Sequence, residues 1–245
     1  MNWRDHEVHL DVVTSTMDSA KILARANAPE GTTVIAHAQT DGHGRRGRYW
    51  FAQPGGSVLA TTILRPKDGA NDPLLSLVVA VGIGAGLQAC GVVDFVYKWP
   101  NDILWRDRKL AGILLYGGDP QGVVLAGFGV NVMSAKEACV PTEIAAAYIG
   151  VNDLLTAPIS VSDVAFSILD ALQSTYNDYQ NKGPEKILVA YTARDALLGH
   201  RVNLDVGERC IEGVAMGVEP SGALRVNTAG VEMVVMAGEV NKVRY

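Results

Sequence analysis

The chain has 245 residues, 48% of them hydrophobic, and a formal net charge of −5. That length can bury a full core and suits one large domain, or a large domain with a small one. The acidic balance argues against a nucleic-acid coat or a membrane-surface binder, both of which need a basic excess. Cys90, Cys139 and Cys210 are odd in number and far apart. Neither a disulfide framework nor a zinc spacing follows from them, and they read as buried free thiols in a reducing cytosol. The N-terminus, Met1-Asn2-Trp3-Arg4-Asp5-His6, has no apolar core, so no secretory signal and a cytoplasmic location are expected.

Residues 8–13 read as a strand, and Ser15-Thr16 opens a helix to about residue 28, with either hydroxyl as N-cap. A second strand, 33–38, delivers a glycine- and arginine-rich loop, and a third follows at 57–64. Residues 74–93 carry no charge, about the length of a membrane span. Gly82, Gly84, Gly86 and Gln88 weaken its apolar drive and no aromatic belt or basic flank accompanies it, so a buried helix over about 73–90 is expected. The glycine run 82–86 lies inside that helical pattern rather than at a strand-to-helix turn, which favours close helix packing over a dinucleotide fingerprint.

Strands are then expected at 93–99, 103–105, 111–116 and 123–128. Successive strands with short connections predict an α+β fold with a mixed sheet rather than regular βαβ alternation. The pattern turns helical over 142–195, and Val164, Ile168, Leu172 and Tyr176 define one apolar stripe. Beyond Leu198-Gly199, short strands at 202–206, 212–217, 224–227 and 231–236 alternate with glycine turns, the pattern of a small β-barrel. This divides the chain into a domain over 1–196 and a barrel over 197–245.

The loop itself reads Gln39-Thr-Asp-Gly-His-Gly-Arg-Arg-Gly-Arg-Tyr-Trp50. Arginine forks match phosphate and carboxylate oxygens, and Gly42, Gly44 and Gly47 allow positive φ and close approach of the main chain to an anion. In an acidic protein this local cluster points to a small anionic ligand, a nucleotide foremost. Four further motifs stand out. Ser15-Thr16 is by itself an ordinary cap. Lys98-Trp99-Pro100-Asn101-Asp102 is turn chemistry that crowds a lysine, a tryptophan and two Asx groups together. Lys109 stands, solvated, at the entry of an apolar strand, where it is either that strand's solvated end or a charge aimed at a phosphate. Gly127-Phe-Gly-Val-Asn131 is a bulge or a close ligand approach. No Gly-x-x-x-x-Gly-Lys-[Ser/Thr] loop, Gly-x-Ser-x-Gly elbow or paired-histidine metal spacing occurs.

Taken together and in this order, these five motifs resemble those of biotin protein ligases, and the resemblance covers nearly the whole chain. It implies the class II synthetase-like biotin/lipoate ligase fold with a C-terminal SH3-like β-barrel. It implies a two-step reaction in which biotin and ATP, with Mg²⁺, form biotinyl-AMP, which then acylates one lysine of a biotin carboxyl carrier domain. The family pattern sets biotin against Ser15, Thr16, Met17, Gln39, His43, Gly44, Arg45 and Lys109, with Gly42, Arg48, Trp50, Gly112 and Asn131 completing the ligand-binding set and no metal held by the protein. Arg45 and Lys109, with Arg48 secondary, would neutralise the reacting phosphate. Residues 112–115 would wall the bicycle and tail, and Trp50 would pack near the adenine. Asp102, by position and charge, is the candidate to orient the acceptor lysine.

Two departures stand out: His43 occupies a position usually held by arginine, and Met17 one usually held by asparagine. No helix-turn-helix segment precedes the first strand, so a ligase that does not bind DNA is expected; a homodimer is left open. The rivals are a lipoate or octanoate ligase on the same fold, an RNA- or nucleotide-binding module, and an inactive relative that only binds biotin.

Overall fold

The computed structural model describes residues 2–67, 69, 72–117 and 122–244. A seven-stranded mixed sheet dominates it, in the order β1-β2-β3-β7-β6-β5-β4. The strands are β1 (Glu7–Val13), β2 (Thr33–Gln39), β3 (Ser57–Leu64), β4 (Val96–Lys98), β5 (Asp102–Trp105), β6 (Arg108–Tyr116) and β7 (Val124–Asn131). Only β1 and β2 run parallel, linked by α1 (Thr16–Arg25) as a crossover; the remaining pairs are antiparallel.

Alternation along β3 and β7 gives each face its own core. Val58, Ala60, Leu64, Val124, Ala126 and Phe128 join the main core with α2 (Leu75–Ala89) and α4 (Val161–Lys182). Ile63, Val123 and Leu125 meet Met17, Ala20 and Ala24 of α1 on the opposite face. The glycines of α2 are packing devices, as expected. A Cβ on Gly86 would stand 2.5 Å from Cα of Ile168, and one on Gly82 2.9 Å from Cα of Leu172, so both let α2 and α4 touch backbone to backbone. Val164, Ile168, Leu172 and Tyr176 form the buried stripe of α4. Among the described residues, no helix is long and apolar enough to cross a membrane.

A second, five-stranded antiparallel sheet follows, in the order β11-β10-β9-β8-β12: β8 (Arg201–Val206), β9 (Arg209–Val218), β10 (Leu224–Thr228), β11 (Val231–Val235) and β12 (Glu239–Arg244). It docks on the large sheet where Trp99 Nε1 donates to the Gly222 carbonyl at 3.0 Å and Gly222 lies against the backbone of Leu74.

Several expectations need correction. The strand expected at 93–99 is only Val96–Lys98, because the chain leaves α2 through Gly91 (φ 93°) and tucks Val92 and Phe95 into the core first. The helical stretch 142–195 is broken into α3 (Thr142–Ala145), α4 and α5 (Glu185–Thr192), with irregular chain through Gly150 and the Gly183-Pro184 break. Strand β12 was not expected at all; it completes the small sheet by pairing with β8. Cys139 and Cys210 are exposed and Cys90 is half-buried, so the thiols are free but not buried.

Candidate active site

A cavity of about 470 Å³ lies between the N-terminal end of α1, the arginine loop, the β4–β5 hairpin and the start of β12. Backbone of β3, β6 and β7 forms its floor. Gly112 and Gly129 face each other there across the ladder. A Cβ on Gly129 would stand 2.3 Å from Cε2 of Trp50, and one on Gly112 2.8 Å from Cζ3 of the same ring. The bare backbone therefore admits the indole directly onto the sheet, with its N–H buried and without a hydrogen-bond partner among the described residues. Gly127 makes the same allowance for Met17, whose Cε would be 2.7 Å from an added Cβ.

One end of the cavity is polar. Ser15 caps α1, its Oγ accepting from the Met17 N–H at 3.2 Å. The next residue, Thr16, donates its N–H to Gln39 Oε1 at 2.7 Å, and its hydroxyl lies 3.1 Å from the same oxygen and 2.9 Å from the Thr61 hydroxyl. Donors and acceptors from α1, β2 and β3 are thus fixed to one another before any ligand arrives.

The arginine loop is ordered by its own backbone: Gly44 N–H donates to the Arg48 carbonyl at 2.7 Å, and Trp50 N–H to the Gly42 carbonyl at 2.8 Å. Among its glycines only Gly47 needs positive φ (72°). Gly42 and Gly44 are required for close approach instead, since a Cβ on Gly42 would lie 2.9 Å from the Trp50 carbonyl oxygen and one on Gly44 2.9 Å from that of Arg48, across the loop. Arg46 itself takes φ 55°.

Glu239 of β12 accepts both outer arginines, Arg48 at 2.6 Å and Arg46 at 3.1 Å. Arg45 turns inward, donating to Asn101 Oδ1 at 3.1 Å and to the Gly238 carbonyl at 3.0 Å. Burial lowers the Arg45 pKa from the usual guanidinium value; Arg46 and Arg48 push the same way, while Glu239 and Asp102 oppose them. His43 leaves the group and reaches Asp18 of α1 at 3.2 Å.

Lys109 reaches the cavity because of a β-bulge. The β5–β6 register slips between Ile103 and Leu104, so Leu110 and Ala111, consecutive residues, both enter the main core. The slip re-aims Lys109 to the Gly112 side, and its ammonium stands 2.8 Å from Asp102 Oδ1, as a close ion pair rather than a directed hydrogen bond. The same ammonium lies 5.4 Å from the centre of the Trp50 ring. Lys109 is therefore paired, not simply solvated as its place before an apolar run suggested. Its backbone is pinned by Ala147, Ile149 and Asn131, whose amide donates to the Lys109 carbonyl at 3.0 Å.

Ser15, Thr16, Met17, Gln39, His43, Gly44, Arg45, Arg48, Trp50, Asp102, Lys109 and Gly112 all line the cavity. Two expected contacts do not. Gly42 is buried beneath the Gln39 amide and the Trp50 carbonyl, and Asn131 is 3% exposed with its amide committed to Lys109. Sequence reasoning gave no role to Thr61, Lys98, Asn101 or Glu239, which also line the cavity. Only the Lys98–Asp102 motif offered a signal for any of these.

Comparisons with known proteins agree with this architecture. The model of the biotin/lipoate A/B protein ligase family matches residues 10–128. The biotin–[acetyl-CoA-carboxylase] ligase of Mycobacterium tuberculosis is 32% identical over 99% of this chain and 90% of its own length. That of Paracoccus denitrificans is 34% identical over 91% and 95%. Among solved structures, the biotin protein ligase of Aquifex aeolicus in complex with biotin and ATP superposes with a TM-score of 0.85, at 25% identity and covering 98% of each chain. The chain belongs to the biotin/lipoate A/B protein ligase family, among its biotin protein ligases.

Proposed function

We propose that this protein joins biotin to a lysine of a biotin carboxyl carrier domain through a biotinyl-AMP intermediate. The observation that carries the reading is one cavity with an uncharged polar end, a glycine floor that carries the Trp50 ring and a cationic end. The polar end of Ser15, Thr16, Gln39 and Thr61 suits a neutral ureido ring, which needs fixed donors and acceptors. The β6 strand beyond Gly112 offers apolar walls for the bicycle and tail.

In the first step a biotin carboxylate oxygen attacks the α-phosphorus of ATP, and the bond to the β-phosphate oxygen breaks to release pyrophosphate. Negative charge gathers around phosphorus, so preorganised cations lower this barrier most. Arg45 and Lys109 take that role, with Arg48 secondary. Lys109 and Arg48 exchange their protein carboxylates for the phosphate as the nucleotide binds. Trp50 covers the ligand near the adenine, and the arginine loop excludes water from the mixed anhydride, whose hydrolysis would waste it.

In the second step the carrier lysine amine attacks the acyl carbon, loses a proton and displaces AMP. Asp102 orients that amine once substrate charge draws Lys109 away from it. The cavity's carboxylates, Asp102 and Glu239, are both engaged by cations. Mg²⁺ enters with the nucleotide as part of that substrate. The division into a catalytic unit over 1–196 and a smaller unit over 197–245 is part of this reading, the second unit holding the loop of the first.

Pyrophosphate exchange into ATP tests it. Exchange should depend on biotin and be negligible with lipoate. Lipoate-dependent exchange would favour a lipoate ligase, and tight RNA binding without exchange would favour a binding module.

A further inference from the structure

We propose that Lys98 is a further phosphate-binding residue of this site, a cation left without a protein partner to meet the pyrophosphate portion of a nucleoside triphosphate. The inference rests on the adenylation reading above and extends it to a residue that reading does not use.

Lys98 ends β4 directly opposite Asp102 in the β4–β5 ladder, so both side chains leave the same face. It lines the cavity and is half-buried. The other strong cations of the cavity are committed: Arg45 to Asn101 and Gly238, Arg48 to Glu239, and Lys109 to Asp102. Lys98 makes no hydrogen bond or ion pair among the described residues. Burial lowers its pKa, with Lys109 and Arg48 acting in the same direction against Asp102 and Glu239. A partly desolvated ammonium without a partner is unfavourable in the free protein, and an incoming polyanion relieves that.

Position selects which part of the ligand it meets. Thr61, at the polar end, lies on β3, and Lys98 lies four strands away across β7, β6 and β5. At about 4.8 Å per strand this is on the order of 19 Å. Lys109, on β6, falls between them. With the ureido ring at the Thr61 end and the α-phosphate at Lys109, the leaving pyrophosphate lies toward Lys98.

The test compares wild type, Lys98→Met and Lys98→Arg in biotin-dependent pyrophosphate exchange. Transfer to the carrier from chemically supplied biotinyl-AMP, nucleotide-free biotin binding and Tm are measured alongside. Lys98→Met should slow exchange about 10²-fold and raise KM for both ATP and pyrophosphate. Transfer from supplied biotinyl-AMP, biotin affinity and Tm should stay at wild-type values, and Lys98→Arg should recover most of the exchange. Unchanged exchange in Lys98→Met overturns the assignment. So does an equal loss in the transfer step, or a loss of Tm that Lys98→Arg does not rescue. An absence of exchange in the wild type would instead overturn the adenylation reading, and this assignment with it.

Discussion

The Lys109 ammonium stands 2.8 Å from the Asp102 carboxylate because a bulge at Leu110 turns it out of the core. Each neutralises the other in the free protein, and a substrate phosphate competes with Asp102 for the lysine. Lys109→Ala should therefore cut pyrophosphate exchange by about 10²–10³-fold, the usual effect of losing one charge-stabilising donor. The fold should survive, since Ala147, Ile149 and Asn131 hold the residue by its backbone. Exchange kinetics alongside circular dichroism check both halves of this expectation.

Glu239 joins two parts of the chain that are distant in sequence. Glu239→Ala should free Arg46 and Arg48 and raise the rate of tryptic cleavage at these residues roughly tenfold, consistent with about 1.4 kcal/mol of lost loop ordering. KM for ATP should rise with it. Global stability should change little, because both arginines are well exposed and such pairs contribute about 0–1 kcal/mol each. Limited proteolysis read by mass spectrometry gives the cleavage sites.

Gly129→Ala places a methyl group 2.3 Å from the Trp50 ring, which must move off the sheet. Intrinsic tryptophan fluorescence should shift toward that of a more exposed indole. Biotin affinity should fall while Tm drops by only a few degrees, about 1–3 kcal/mol of overpacking. Titration of biotin followed by fluorescence reads both effects.

Asp195 supplies a pH test of stability. One carboxylate oxygen accepts from the Leu197 N–H at 2.8 Å, while the other is buried with no hydrogen-bond partner among the described residues. Burial raises its pKa above 3.8, against the Leu197 and Leu198 N–H groups and His200, which lower it. The folded protein then binds this proton more tightly than the unfolded chain. The stabilisation is full below the unfolded pKa and is lost as pH rises through the folded value. Asp195→Asn keeps the acceptor for Leu197 and carries no charge at any pH. Its Tm should exceed that of the wild type at pH 7, and the gap should narrow toward pH 4. Calorimetry across that range measures it.

Much of this was legible because it is local. The α4 stripe, the α2 glycines and the hairpin at Lys98–Asp102 follow from periodicity and turn chemistry confined to a few neighbouring residues. The motif order sufficed to bring twelve expected residues into one cavity. What escaped depends on register and on contacts distant in sequence. A slip of one residue at Leu110 decides where Lys109 points, and a run of apolar residues carries no mark of it. Glu239 sits on a strand that apolar alternation does not announce, and its partners lie nearly two hundred residues earlier. Asn131 and Gly42 lie outside the cavity lining because the Asn131 amide donates to the Lys109 carbonyl and Gly42 packs beneath the Trp50 carbonyl, contacts that a polar or glycine residue at a strand end does not announce.

The most direct measurement incubates the protein with labelled biotin, ATP, Mg²⁺ and a carrier domain, then locates the label by peptide mapping. The account predicts one labelled carrier lysine, formed only when ATP is present and lost in Lys109→Ala. An unlabelled carrier, or label incorporated equally well without ATP, would contradict it.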